Sequence, residues 1–222
     1  MTLKLYANLV SQPSRTVAWV LKVKGVAHEL VSVDPGSDFI KSDEFTAINP
    51  NRLVPAIKDD DFVLTEGMAI LQYLGDKYEW TGPTDLYPKD LKVRAKINEF
   101  LHWHHTNTRL FTINILRPEI AKKLKTATPK DLAALEDKDS LIEEKFDLLE
   151  TFLVNDFIAQ TDFPTFADYT AYCEIDQLEF MGYDFSKYLK ASAWIARMKS
   201  QPFNDEIHEP LKGFIEQFGL NA

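Results

Sequence analysis

Hydrophobic periodicity changes kind once along this chain, and where it changes constrains the fold more than any other feature. Before about residue 79, short period-2 segments alternate with helical ones. Leu3-Lys4-Leu5-Tyr6-Ala7 alternates as a strand does. From Pro13 to Lys24, Val17, Val20 and Leu21 follow helical spacing, and Gly25 stands where a helix commonly ends. Glu29-Leu30-Val31-Ser32-Val33 reads as a second strand, which Pro35-Gly36-Ser37-Asp38 breaks into a loop. Two further strand-like runs, Pro55-Ala56-Ile57-Lys58 and Asp61-Phe62-Val63-Leu64, flank an Asp-rich turn at 59–61. Thr65 is placed to cap a helix with Ala69, Ile70, Leu74 and Tyr78 on its apolar face. The order βαβ, loop, ββα predicts a small mixed sheet with helices.

Trp80-Thr81-Gly82-Pro83-Thr84-Asp85 stops helix and strand alike, and no period-2 segment follows it. Val93, Ile97, Phe100, Leu101, His104, Thr108 and Phe111 predict one long helical face. Leu132, Leu135, Ile142, Phe146, Leu149 and Leu153 predict another, opened by Thr128-Pro129-Lys130-Asp131, a Thr cap with a carboxylate three residues on. Thr165-Phe166-Ala167-Asp168 repeats that device. Leu189–Met198 and the series Ile207, Leu211, Phe214, Phe218 add two more helices. The fold class is therefore an α+β domain over 1–79, a linker over 80–87 and an all-α domain over 88–222.

The net charge of −9 argues against a nucleic-acid or anionic-membrane partner, since basic patches drive both. No apolar run approaches the roughly 18–20 residues needed to cross a bilayer. The single cysteine, Cys173, excludes an intramolecular disulfide and a multi-cysteine zinc site, and its helical apolar surroundings read as those of a buried thiol. A strand-like N-terminus and one lone cysteine lead to the expectation of a cytoplasmic protein. His102-Trp103-His104-His105 and Glu99-Phe100-Leu101-His102 invite a metal reading, but helical di-iron sites need a second Glu-x-x-His, and none occurs. No metal is expected.

The chemistry is concentrated in three short stretches. In Leu9-Val10-Ser11-Gln12-Pro13-Ser14-Arg15, Pro13 suits a first helical turn, and Ser11 can cap that helix or offer its hydroxyl to an anion at the positive helix end. Leu53-Val54-Pro55-Ala56 ends a loop and begins a strand. Thr65-Glu66-Gly67-Met68-Ala69-Ile70 opens a helix. Together, in this order, they resemble the N-terminal domain of a cytosolic glutathione transferase, and the Ser-Gln-Pro-Ser-Arg form looks like the theta class. The resemblance continues more weakly through the helical half.

That resemblance implies a thioredoxin-like first domain that binds glutathione as co-substrate, with no other cofactor. It implies transfer of glutathione to small hydrophobic electrophiles such as alkyl halides or epoxides, or reduction of organic peroxides, by a homodimer. Ser11 would stabilise the thiolate by hydrogen-bonding only the charged sulfur. Ser14 and Tyr6 are the rival hydroxyls, and a plain helix cap is the other reading of Ser11. In the family the proline at the Val54-Pro55 position is cis and turns the preceding backbone toward the cysteinyl part of glutathione, while the acidic residue at Glu66 holds the γ-glutamyl end.

Two departures stand out. Where the family has Ser or Thr after the acidic residue, this chain has Gly67, so a serine there is expected to tighten glutathione binding. Where theta enzymes carry a His-Lys pair, this chain has Ile40-Lys41. Lys41, or Arg52 in the Asn49-Pro50-Asn51-Arg52 loop, is the candidate for the glycyl carboxylate, and a solvated loop lysine is the alternative. Trp103, His104 and Arg109 are the candidates for the electrophile pocket, with a surface arginine as the alternative for Arg109. The rival reading of the whole chain is a transferase-like binding module without catalysis.

Overall fold

Strand β1 (Leu3–Ala7) runs parallel to β2 (His28–Ser32) and antiparallel to β3 (Ala56–Asp59), which pairs antiparallel with β4 (Phe62–Thr65). The sheet order in the computed structural model, which describes residues 3–221, is β2-β1-β3-β4. Alternation along β1 sorts its side chains to two sides. Leu3, Leu5 and Ala7 enter the main core with helix α1 (Gln12–Val23) and helix α4 (Gly67–Lys77). Tyr6 enters a second cluster with Val33, Ile40, Phe45 and Ala56. Lys24 ends α1, and Gly25 follows with φ 64°, the left-handed turn that its missing side chain permits.

The segment after β2 corrects the loop expected at 35–41. It holds two short helices, α2 (Asp38–Lys41) and α3 (Asp43–Ile48). Ser37 and Ser42 cap them, accepting from the Ile40 and Phe45 N–H groups. Helices of four and six residues are too short to show a periodicity, so only their caps are visible in the sequence. Ile40 and Phe45 are buried on the outer face of the sheet, and Lys41 ends α2, exposed.

A second correction concerns Thr65, which remains in β4 and caps nothing. Glu66 is the cap residue of α4, at φ 68°. The chain must reverse from strand into helix within one residue, and a left-handed backbone achieves this at a cost of order 1–3 kcal/mol for a residue with a side chain.

Trp80 to Asp90 contains no helix or strand. Trp80, Leu86 and Tyr87 nevertheless anchor this connection in the core. Helix α5 (Leu91–His104) stops where a single helix was expected to run to Phe111. Asn107 Nδ2 donates to the Trp103 carbonyl at 2.8 Å, and Thr108 Oγ1 pairs with His104 Nδ1 at 2.8 Å, so side chains replace the helical ladder. A π-helical segment (Thr112–Leu116) then runs into α6 (Arg117–Lys123).

The long helix expected over 132–153 is two, α7 (Pro129–Glu136) and α8 (Lys138–Phe152), broken at Asp137. The Thr128/Asp131 capping box opens α7 as expected. The Thr165/Asp168 box opens α9 (Phe166–Phe180). Helices α10 (Leu189–Lys199) and α11 (Asn204–Gln217) complete the helical part.

Helix α9 is the centre of the molecule, with every residue from Phe166 to Leu178 buried. It packs against α1, α5, α10 and α11, joining the two halves of the chain. Arg15, fully buried, donates to the Val10 carbonyl at 2.8 Å, to the Cys173 carbonyl at 2.7 Å and to Asp176 at 2.9 Å. His208 of α11 closes on the other oxygen of Asp176. Removing one partner of such a buried ion pair typically costs about 3–5 kcal/mol, because the other is left uncompensated.

Candidate functional site

A cavity of about 140 Å³ lies between the sheet-bearing and helical halves. One wall comes from the sheet side: Pro13 near the start of α1, Asn49 and Leu53 to Pro55 in the loop before β3, and Glu66 to Met68 where α4 begins. His104, His105 and Arg109, at the end of α5 and in the turn after it, form the facing wall. A wider hollow beside Lys92, Lys96 and Glu99 contains none of the candidate glutathione or electrophile residues.

The Val54–Pro55 peptide is cis. Asn49 shapes the loop that delivers it, donating to the Leu53 carbonyl at 2.8 Å and accepting from the Asn51 N–H at 3.0 Å. Among the described residues, no hydrogen bond engages the Val54 N–H or C=O, so both are available to an extended peptide laid alongside. At the start of α4 the Gly67 and Met68 N–H groups precede the first helical partner, and the Glu66 side chain makes no cap bond. A free helix N-terminus beside an exposed carboxylate presents donors for a carboxylate and an acceptor for an ammonium, the two ends of an amino acid.

Ser11 occupies the N-cap position of α1 at φ −79°, ψ 124°, yet its hydroxyl makes no cap hydrogen bond. It is half-buried and lies just outside the residues lining the cavity, two positions before Pro13. The rival hydroxyls are placed differently. Ser14 is fully buried, its Oγ without a partner, and Tyr6 packs edge-on against Phe45 at 6.0 Å in the second core cluster. Arg15 braces the serine loop from beneath through the Leu9 and Val10 carbonyls.

The remaining sequence candidates divide. His104 and Arg109 line the cavity; Trp103 does not, and instead packs on Phe100 and Phe152 at 5.4 and 4.9 Å. Trp103 points about 100° around the helix from His104, and that side of α5 is covered by Phe152. Lys41 and Arg52 are exposed and outside the cavity wall; Arg52, at φ 55°, donates to Thr46 Oγ1 at 3.1 Å.

Burial holds His104 down at about 3, with His105 and Arg109 pushing the same way, so its imidazole is neutral at physiological pH. Burial also pulls Arg109 below its ordinary value, while the Glu174 carboxylate at 3.3 Å favours its cation. Sequence reasoning missed Asn49, Leu53, Met68, His105 and Glu174. Glu174 carried no signal of its own, because Asp168, Asp176, Gln177 and Glu179 share its segment.

Comparison with known proteins gives two family matches in chain order. The glutathione S-transferase N-terminal domain matches residues 5–84, and the C-terminal domain matches residues 110–202. Glutathione S-transferase T1 of Arabidopsis thaliana is 35% identical over 98% of this chain and 92% of its own length. Glutathione S-transferase T2 of the same plant is 34% identical over 95% of this chain, which spans only 37% of that protein. The crystal structure of human glutathione transferase theta-2 in complex with glutathione and an unknown ligand superposes with a TM-score of 0.87 at 34% identity, covering 98% of this chain and 90% of that one. A cis-proline loop, a free helix N-terminus and an uncapped serine around one cleft thus coincide with matches over both halves of the chain, which belongs to the glutathione S-transferase family, with theta-class members among its relatives.

Proposed function

We propose that this protein transfers glutathione to small hydrophobic electrophiles, alkyl halides and epoxides among them, or uses it to reduce organic peroxides. The observation that carries the reading is the cavity itself. It brings the Val54 backbone, Glu66 and the α4 N-terminus opposite His104 and Arg109, so a tripeptide held on one wall presents its sulfur to the other. In this reading Val54 and the cis Pro55 align the cysteinyl backbone, Glu66 pairs with the γ-glutamyl ammonium, and the Gly67 N–H receives the γ-glutamyl carboxylate. Lys41 or Arg52 meets the glycyl carboxylate by long-range attraction.

Ser11 supplies the hydrogen bond to sulfur. Free thiols ionise near pH 8.5, and a donor that bonds only the thiolate shifts the balance toward the reactive anion. Its unused hydroxyl at a positive helix end supports that role. The thiolate then attacks carbon, expelling a halide or opening an epoxide to an alkoxide that takes up a proton. With a peroxide it attacks one oxygen, the O–O bond breaks to release the alcohol, and a second glutathione converts the sulfenic acid formed to the disulfide and water. Holding both reactants in one cleft removes an entropy cost of several kcal/mol. His104 and Arg109 border the electrophile, and Trp103 supports them from behind. Residues 1–79 form the glutathione-binding domain and 88–222 the electrophile domain, joined by 80–87. The working form is a homodimer, as the family resemblance implies.

Turnover of 4-nitrobenzyl chloride or cumene hydroperoxide with glutathione tests the reading. Glutathione binding without turnover of any such electrophile would favour a non-catalytic binding module.

A further inference from the structure

We propose that Glu174 is a positioning residue for the glutathione site: one buried carboxylate holds the start of α1 and the Arg109 side chain in fixed relation across the junction of the two halves. Its oxygen Oε1 accepts from Gln12 Nε2 at 2.6 Å and from Arg109 Nη1 at 3.3 Å. Oε2 accepts from Thr112 Oγ1 at 2.7 Å and from Gln177 Nε2 at 2.8 Å. Gln12 Nε2 also donates to Thr112 Oγ1 at 2.7 Å, and His104 Nε2 stands 3.8 Å from Oε1. The carboxylate is fully buried and gathers groups from α1, the turn after α5, the π-helical segment and its own helix.

What it gathers is the site's framework. Gln12 is the first residue of α1 and the chain neighbour of Ser11, so its side chain fixes the azimuth of the turn that carries the serine hydroxyl. Arg109 and His104 line the cavity wall opposite. Gln12 and Arg109 meet on the same oxygen without a hydrogen bond to each other, which makes Glu174 their link.

Packing alone gives no reason for a glutamate there. An apolar side chain of similar volume avoids the desolvation penalty that a buried carboxyl carries unless its oxygens are bonded. Four donors converge on these two oxygens, the arrangement expected when orientation of the partners is what the residue provides. A π-helical segment, often found at functional sites, begins with one of them, Thr112.

The inference rests on the transferase reading, which wild-type turnover of 4-nitrobenzyl chloride with glutathione checks separately. Glu174→Gln keeps the shape but loses the ion pair and turns one of the two accepting oxygens into a donor. It is expected to lower kcat about tenfold while leaving KM for glutathione nearly unchanged, since misplacement by ~1 Å can cost about a hundredfold. Gln12→Met and Arg109→Gln should each lower kcat, and the double variant should fall no further than the worse single one, because both act through the same carboxyl.

This pair keeps Glu174 in place and decides the matter even if Glu174→Gln does not fold. Where the wild type binds glutathione without turnover, titration of the bound thiol gives the same comparisons. Losses that multiply in the double variant, a Glu174→Gln enzyme with wild-type kcat, or a rise in KM matching the fall in kcat would each overturn the proposal.

Discussion

Gly67 at the start of α4 lies directly against Pro13 in the first turn of α1: a Cβ on Gly67 would lie 3.1 Å from the Pro13 Cβ. The backbone at Gly67 is not left-handed, so a side chain there meets a limit of space and not of torsion, and Pro13 must give by a few tenths of an ångström. Pro13 sits in the first turn of α1, and moving it moves Ser11. Gly67→Ser is therefore expected to cost about 1 kcal/mol of stability, or 2–4 °C in Tm, and to give no tighter glutathione complex. This reverses the expectation from sequence, in which the added hydroxyl decided the sign. Calorimetric titration and melting of the Ser and Ala variants separate the Cβ from the hydroxyl; a several-fold tighter complex for Ser alone would restore the earlier reading.

Ser11→Ala removes a hydroxyl that makes no cap bond, so its effect on stability should stay below the roughly 1 kcal/mol of an ordinary lost cap. Its effect on chemistry should be large. Titrating the ultraviolet absorbance of bound thiolate should show the thiol pKa raised by about one unit or more. An unchanged titration would remove Ser11 from the mechanism.

Glu66→Gln should weaken glutathione binding while sparing the bound-state reaction. The carboxylate lies at the γ-glutamyl end of the proposed pose, equally engaged before and during attack, which makes it a contributor to uniform binding. KM for glutathione should rise, by about tenfold for one charge partner, with kcat little changed. Steady-state kinetics in which kcat collapses instead would contradict the pose.

Stability should peak in mildly acidic solution, because two buried groups pull in opposite directions. Burial pushes the Glu174 carboxyl up to about 7, against hydrogen bonds and the Arg109 cation that favour its charge. Its folded-state preference for the proton stabilises the fold fully below about pH 4.5 and is lost as pH rises to about 7, a contribution of roughly 3 kcal/mol. His104, held at about 3 by burial, stabilises the fold above about 6.5 and loses that contribution as pH falls toward 3. In Glu174→Gln the first loss disappears, so its Tm relative to wild type should climb between pH 5 and pH 8, as scanning calorimetry can follow. A constant difference across that range would contradict the shifted carboxyl.

Local sequence determined most of the secondary structure here, because strand alternation, Gly25 after α1 and the boxes at Thr128/Asp131 and Thr165/Asp168 depend only on residues a few positions apart. It also supplied the pieces of the cleft, since Val54-Pro55 and Glu66-Gly67 lie in segments whose ends β3 and α4 fix. Tertiary structure decided what lies across from each element. His104 faces the cavity while Trp103 turns to Phe152, the expected long helix stops at His104 where Asn107 and Thr108 supply other partners, and Gly67 meets Pro13 from a different helix. Glu174 shows the limit most directly. Its partners at positions 12, 109 and 112 are brought together only when α1 and the π-helical segment pack on α9, and no local pattern records which distant groups will share one carboxylate.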